Sequence, residues 1–259
     1  MNMTGIVYRP PYEANSLLLQ VTLGCSHNKC TFCYMYPDVQ FKVCPMEEVE
    51  ADIEEATHYC PNVKRVFLEH GDAFVLSAEK LLKIADAIHR KLPRVETIAM
   101  YASIQNIKSK TDEELRQLRT AGIHGLDIGV ESGLDAALTY MNKGHTAAEV
   151  REQLLRLTEA GMDYSFNAIL GCGGAELWKE NADATADLIN AVQPHLLFIG
   201  REVEAYAKIL AWFRLGKVNC LNWHIRTVIK NHAKAPPFLR QYIARSSTTS
   251  SNDWVCSTL

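Results

Sequence analysis

No apolar run in this 259-residue chain approaches the ~20 residues that a membrane span needs. The opening residues, Met1-Asn-Met-Thr-Gly-Ile-Val-Tyr-Arg9, lack a basic segment followed by an apolar one, so no secretory leader is expected. There is no internal repeat beyond the alternation described below. No Gly-Lys-Ser/Thr follows the glycine-rich stretch at residues 171–174, which excludes a phosphate loop. No second closely spaced cysteine pair accompanies the first cysteine cluster, which argues against a paired zinc knuckle. No glutamate occurs after Glu204.

What is present is a large apolar fraction, 47%, enough for a substantial core in one large domain or two small ones. Eight cysteines without a leader point to a reducing, cytoplasmic compartment, where thiols bind metal or stay free. The net charge is −3, unevenly spread. Beyond Glu204 stand 8 basic residues and 1 acidic one, with three of the 4 tryptophans (Trp212, Trp223, Trp254). The composition therefore breaks near residue 205. Pro236-Pro237 and the Ser/Thr-rich run at residues 245–253 read as loop and disordered tail. That basic tail fits either contact with RNA or another anion, or a truncated or frame-altered end that does not pack.

The first two hundred residues alternate strand-like and helix-like segments. Strands are expected at residues 16–23, 63–68, 95–101, 125–130, 164–170 and 195–199. Helices are expected at 45–58, at 77–90 behind a Ser77 cap, and from Thr111 to Gly122 behind a Thr111/Glu114 capping box. Further helices are expected at 134–141, from Thr146 to Gly161 behind a Thr146/Glu149 box, at 177–192 and at 202–215. Six strands, each followed by a helix, imply a parallel sheet with right-handed crossovers. The expected fold class is α/β: an incomplete (β/α)6 TIM-like barrel with parallel strands and an irregular C-terminal extension. An open doubly wound sheet fits the same count. Either places ligands at the carboxyl ends of the strands.

The chemistry concentrates in Gly24-Cys25-Ser-His-Asn-Lys-Cys30-Thr-Phe32-Cys33-Tyr34, directly after the first strand. Gaps of four residues and then two bring three thiols into one loop. Three thiolates hold three irons of a cubane cluster and leave the fourth iron open to a substrate or cofactor. Zinc with His27 as fourth ligand, or a cluster used only for electron transfer, remains compatible with the loop alone. Cys44 and Cys60 are candidates for a fourth ligand and read as ordinary cysteines.

The loop resembles the cluster signature of radical S-adenosylmethionine (SAM) enzymes, in the gap between Cys30 and Cys33 and in the aromatic Phe32. It departs from the commonest form by four rather than three residues between Cys25 and Cys30, a minority spacing. Later strand ends extend the resemblance. Gly71-Asp72 matches the turn that holds the amino group of SAM, with His70 in place of its first glycine. Glu131-Ser132 matches the segment that approaches the ribose, and the stretch through Met141, Lys143 and His145 continues the likeness. Ile169 and Gly171 match the strand that meets the adenine, with Glu176 near the acidic position beyond the glycines. Tyr101 and Arg201 also end strands. Tyr101 stacks in the site or caps the barrel, and Arg201 pairs with a carboxylate or faces solvent. His27, His70 and Cys172 read as loop or buried residues, and Lys143 as a turn residue or a partner for a carboxylate.

The resemblance covers residues 12–205 and implies a radical SAM core domain, with 206–259 as a C-terminal extension. It implies a [4Fe–4S] cluster on Cys25, Cys30 and Cys33, with S-adenosyl-L-methionine chelating the open iron and contacted by Phe32, Gly71, Asp72, Glu131, Ser132, Ile169 and Gly171. One-electron reduction, supplied by a partner such as flavodoxin or ferredoxin, would generate a 5′-deoxyadenosyl radical that abstracts hydrogen from a substrate. The likeness is strongest to the branch of anaerobic coproporphyrinogen oxidase-like and tRNA-modifying enzymes. That branch spans many substrates and names none. The competing reading is an iron–sulfur electron carrier or sensor without radical chemistry, which would need the cysteines but not the strand-end residues.

Overall fold

The protein is described by a computed structural model, over residues 3–201. In chain order its strands are β1 (Leu17–Gln20), β2 (Thr22–Leu23), β3 (Lys42–Val43), β4 (Arg65–Glu69), β5 (Thr97–Ala102), β6 (Ile123–Glu131), β7 (Asp163–Leu170) and β8 (Leu196–Arg201). The helices are α1 (Met46–Tyr59), α2 (Ala78–Lys91), α3 (Ile104–Lys108), α4 (Asp112–Thr120), α5 (Asp135–Tyr140), α6 (Ala147–Glu159) and α7 (Trp178–Val192). Short 3-10 turns lie at Pro11–Glu13 and Ala73–Val75.

Six strands form one sheet in the order β1-β4-β5-β6-β7-β8. The pairs β1–β4, β4–β5 and β5–β6 are parallel, with Gln20 opposite Glu69 and Tyr101 opposite Asp127. The expected α/β class with a parallel six-stranded sheet is what forms. β1 and β8 are its edges, so no closed barrel results. The near-continuous apolar run Val66-Phe67-Leu68 in β4 is fully buried, as befits a parallel strand covered on both faces. Leu19, Ile98 and Met100 join it, and Ile53, Leu81 and Ile88 are buried from α1 and α2.

The helix starts follow their side-chain signals. The Ser77 hydroxyl accepts from the Lys80 N–H at the start of α2. Thr111 and Glu114 form the capping box of α4. Thr146 and Glu149 exchange the same two bonds ahead of α6. Pro45 sits at the cap of α1 rather than inside its first turn.

The structure departs from expectation in three places. The first strand breaks at Val21, whose carbonyl accepts from the Cys44 N–H, and β2 leaves the sheet to pair antiparallel with β3. α3, five residues long, was not expected; a Ser103/Asn106 capping box starts it, with asparagine where the usual signal is Glu or Gln. The 3-10 turns were also not expected. The helix at 202–215 and the extension at 206–259 lie outside the described residues.

The chain divides into two compact units. Among the described residues, one comprises residues 3–28, Cys33–Gly129 and Leu155–Ser165; the other comprises Lys29–Phe32, Val130–Leu154 and residues 166–201. In the first unit, Tyr12 donates its hydroxyl to Asp127 and lies 3.1 Å from the Ser165 Oγ. Buried Glu13 takes the Arg65 guanidinium on both carboxylate oxygens, with Nε 2.8 Å from Oε2, at the start of β4. These two residues tie the N-terminal segment to the sheet.

Candidate functional site

In the first unit the loop after β2 is joined to the loop after β4. The Gly71 N–H donates to the Gly24 carbonyl at 3.0 Å, and the Gly24 N–H donates to His70 Nδ1 at 3.3 Å. His70 takes a left-handed φ of 72° and is 1% exposed, and its burial pushes the imidazole pKa down. A side chain on Gly71 would put its Cβ 2.6 Å from the Cys25 Cβ, so only glycine admits Cys25 here.

Asp72 is 2% exposed, and its carboxylate is already employed. It accepts from the Ser26 N–H at 2.9 Å, from the Ser26 hydroxyl and from the Asn106 side chain. Burial pushes its pKa up, while these hydrogen bonds and His27 pull it down. Lys110, also buried, supports the turn that follows. Its Nζ donates to the Phe74 carbonyl at 2.6 Å and lies 4.2 Å from the Phe74 ring centre. Burial pushes its pKa down to about 8.

Behind the cysteine loop of this unit lies a buried polar group. Glu69 is fully buried, and neither carboxylate oxygen has a hydrogen-bond partner among the described residues. Burial, then the charge of Asp52, pushes its pKa to about 7. Tyr36 is buried with its hydroxyl likewise unmatched, and its ring stands 5.3 Å from that of His70 and 5.5 Å from that of Tyr8. Burial raises the Tyr36 pKa first, and the charges of Glu69, Cys25 and Cys33 add to it. Burial and the nearby acids Glu48, Asp52 and Glu69 raise that of Cys44.

In the second unit, residues 29–32 are joined to the end of α5. The Thr31 N–H donates to the Met141 carbonyl at 3.1 Å, and Asn142 Nδ2 donates to the Lys29 carbonyl at 2.9 Å. Phe32 packs against Ala137, Leu138 and Met141. Glu131 ends β6 with φ 75°, a left-handed conformation unusual for glutamate. Burial raises its pKa; Lys143, 3.4 Å away, lowers it. The Lys143 Nζ also lies 5.6 Å from the Phe32 ring centre, so one cation faces both Phe32 and Glu131. Ser132 is fully buried and bonded to Asn181 and to the Leu134 N–H. Ile169 is half-buried near the end of β7, and Gly171 follows with φ 89°. Cys172 is half-buried and donates to the Ile169 carbonyl at 3.2 Å, and burial pushes its pKa up to about 11.

Cys44 is half-buried, and Cys60 is exposed as the residue after α1. Glu176 is exposed in a turn, and Tyr101 packs edge-on to Phe67 at 5.2 Å. Arg201 closes β8. Cys25, Cys30 and Cys33 form no disulfide, and each is half-buried. Among the described residues no group of three or more His, Cys, Asp or Glu side chains stands in metal-binding positions. No described helix is long and apolar enough to cross a membrane.

The radical SAM superfamily model matches residues 19–188, a span that includes the cysteine loop and β4 to β7. The chain belongs to the radical SAM superfamily. The heme chaperone HemW of Bacillus subtilis is 29% identical over 118 residues, 45% of this chain and 31% of that protein. The tRNA-2-methylthio-N(6)-dimethylallyladenosine synthase of Idiomarina loihiensis is 26% identical over 202 residues, 73% of this chain and 40% of that one. The chain thus spans well under half the length of these curated relatives. Among solved structures, Escherichia coli coproporphyrinogen III oxidase, a radical SAM enzyme, aligns over 90% of this chain and 51% of its own with a TM-score of 0.54 at 13% identity. The methyltransferase TsrM from Kitasatospora setae, solved with cobalamin and a [4Fe-4S] cluster, aligns over 72% and 36% with a TM-score of 0.56 at 17% identity. These structures share the fold.

The residues of this radical SAM chain suit the cofactors of its family neighbours, a [4Fe–4S] cluster and SAM. The donor set is three soft thiols on one loop, none of them in a disulfide, and soft thiolates are the ligands that iron–sulfur clusters take. Gly71 lets Cys25 sit against the turn after β4, where any side chain would clash with it. Sequence reasoning missed Ser26, Asn106 and Lys110 in one unit and Asn181 and Thr185 in the other. Only the Ser103-to-Asn106 spacing left a trace of one of them.

Proposed function

We propose that this chain is a radical SAM enzyme whose core spans residues 12–205. Cys25, Cys30 and Cys33 would hold a [4Fe–4S] cluster, with SAM bound beside it. When bound, these groups supply one-electron cleavage of SAM to methionine and a 5′-deoxyadenosyl radical that abstracts hydrogen from a substrate. The observation that carries the reading is the family match over residues 19–188, which spans the three-thiol loop and the strand-end residues together.

The chain's own residues then have distinct tasks. Asp72, bonded to Ser26, holds the residue after Cys25 in place and leaves the rest of its lone-pair capacity for the SAM ammonium. Gly71 keeps backbone carbonyls accessible to the same group. Glu131 receives the ribose hydroxyls, and Lys143 opposes the upward shift that burial imposes on its carboxyl pKa. Phe32, Ile169 and Gly171 line the adenine side. Ser132 supports this side by fixing the turn, since its hydroxyl is engaged within the protein.

The reductant is a one-electron donor such as flavodoxin or ferredoxin, and a reducing, cytoplasmic setting suits cysteines that form no disulfide. The tRNA-modifying relatives support RNA as a candidate substrate class. The test is anaerobic reconstitution with iron and sulfide, then reduction with SAM. Wild type should release 5′-deoxyadenosine, and Cys30→Ala should lose at least 100-fold of it. Equal release from both would sink the proposal. The likeness to a heme chaperone favours a second reading, a cluster protein without radical chemistry. Bound cluster without deoxyadenosine release would select it.

A further inference from the structure

We infer that α7 positions the SAM-facing strand ends of the second unit, through Asn181 and Thr185. The inference rests on the reading of Glu131, Ile169 and Gly171 as SAM contacts.

Asn181 and Thr185 lie four residues apart, and so on one face of α7, with Ala182, Ala186, Leu188 and Ile189 also buried. They are only 2% and 6% exposed, where apolar residues would pack at less cost. Their partners account for them. Asn181 Oδ1 accepts from the Ser132 hydroxyl and stands 3.6 Å from the Cys172 thiol. Thr185 Oγ1 accepts from the Gly133 N–H at 2.9 Å. The Ser132 hydroxyl in turn accepts from the Leu134 N–H at 2.9 Å. One helix face therefore bonds the turn after β6 and the turn after β7.

Both turns are also pressed against that helix. A Cβ on Gly133 would overlap the Ala184 carbonyl. One on Gly173 would lie 2.7 Å from both the Asn181 Cβ and the Leu177 carbonyl oxygen. Two residues before Gly133, Glu131 keeps a left-handed backbone, a costly conformation that persists only where its surroundings over-determine it. The bonds from α7 to Ser132 and Gly133, directly after Glu131, supply that determination. Asn181 and Thr185 touch no reacting atom here and are positioning residues.

The test uses the full chain with Thr185→Val, which removes the hydroxyl at nearly constant volume, Thr185→Ser, which keeps it, and Asn181→Leu. S-adenosylhomocysteine binding is measured by calorimetry on reconstituted protein, alongside iron content and backbone hydrogen exchange. Thr185→Val and Asn181→Leu should each weaken binding about tenfold or more, as loss of a supporting hydrogen bond does around other sites. Iron content should hold, exchange should rise at residues 131–134 in both variants and also at 169–174 in Asn181→Leu, and Thr185→Ser should match wild type. If Asn181→Leu fails to fold, the Thr185 pair decides. Unchanged affinity and exchange in Thr185→Val would overturn the inference. Wild type that holds iron yet ignores S-adenosylhomocysteine would instead remove the reading of the SAM site, and the inference with it.

Discussion

The sequence reads Gly71 and Asp72 as a turn for the amino group of SAM, and it gives no sign of their partners within the protein. Asp72 also holds Ser26, and Gly71 is glycine because Cys25 occupies the space of its side chain. Neither fact leaves a mark on local spacing, since 46 residues separate the partners. Gly71→Ala should displace the cysteine loop, at a cost of roughly 1–3 kcal/mol for an overpacked site. Reduced iron uptake on reconstitution and a lower urea midpoint would show it, and full uptake would count against the contact. Glu69 makes a second prediction at this scale. Its pKa is raised from 4.5 to about 7, so the folded chain holds a proton that the unfolded chain has released. Stability contributed by this group is therefore greatest below about 4.5 and falls as pH climbs to about 7. Glu69→Gln should flatten that fall, as read from urea midpoints at several pH values. A slope unchanged by the substitution would mean that another group titrates there.

At the scale of elements, strong local signals were read well. The capping residues Ser77, Thr111 and Thr146 each start a helix where their spacing implies. Thr111→Ala should cost about 1 kcal/mol, measurable by urea denaturation, because the Glu114 N–H loses its acceptor and Glu114 loses half of a reciprocal pair. Short elements escaped notice for a physical reason. α3 has five residues and β2 and β3 have two each, too few for hydrophobic periodicity to appear. They form because of what surrounds them. Lys110, just past α3, donates to the Phe74 carbonyl, and the Cys44 N–H meets the Val21 carbonyl beside the β2–β3 pair. Length and isolation, rather than weak propensity, made them unreadable.

For the molecule as a whole, the alternation of six strands and helices was sufficient to give the class, because a parallel sheet needs a crossover after every strand. The family match ends at residue 188. A chain ended after Leu215 should therefore keep its melting temperature and its release of 5′-deoxyadenosine. Loss of either would make the basic tail part of the working protein. Retained turnover of SAM with lost binding to RNA would instead mark the tail as a substrate contact.

The sequence by itself determined the chemistry on offer: three thiols on one loop, and acids and glycines at the ends of strands. It could do so because cluster ligation and strand-end placement depend on short spacings and on the order of elements. Only the tertiary structure decided how those residues are held. Asp72 is bonded to Ser26, Glu131 is balanced by Lys143, and Ser132 is committed to Asn181. Such pairings join residues from 12 to 49 positions apart. They arise from packing distances and burial, which no local pattern encodes.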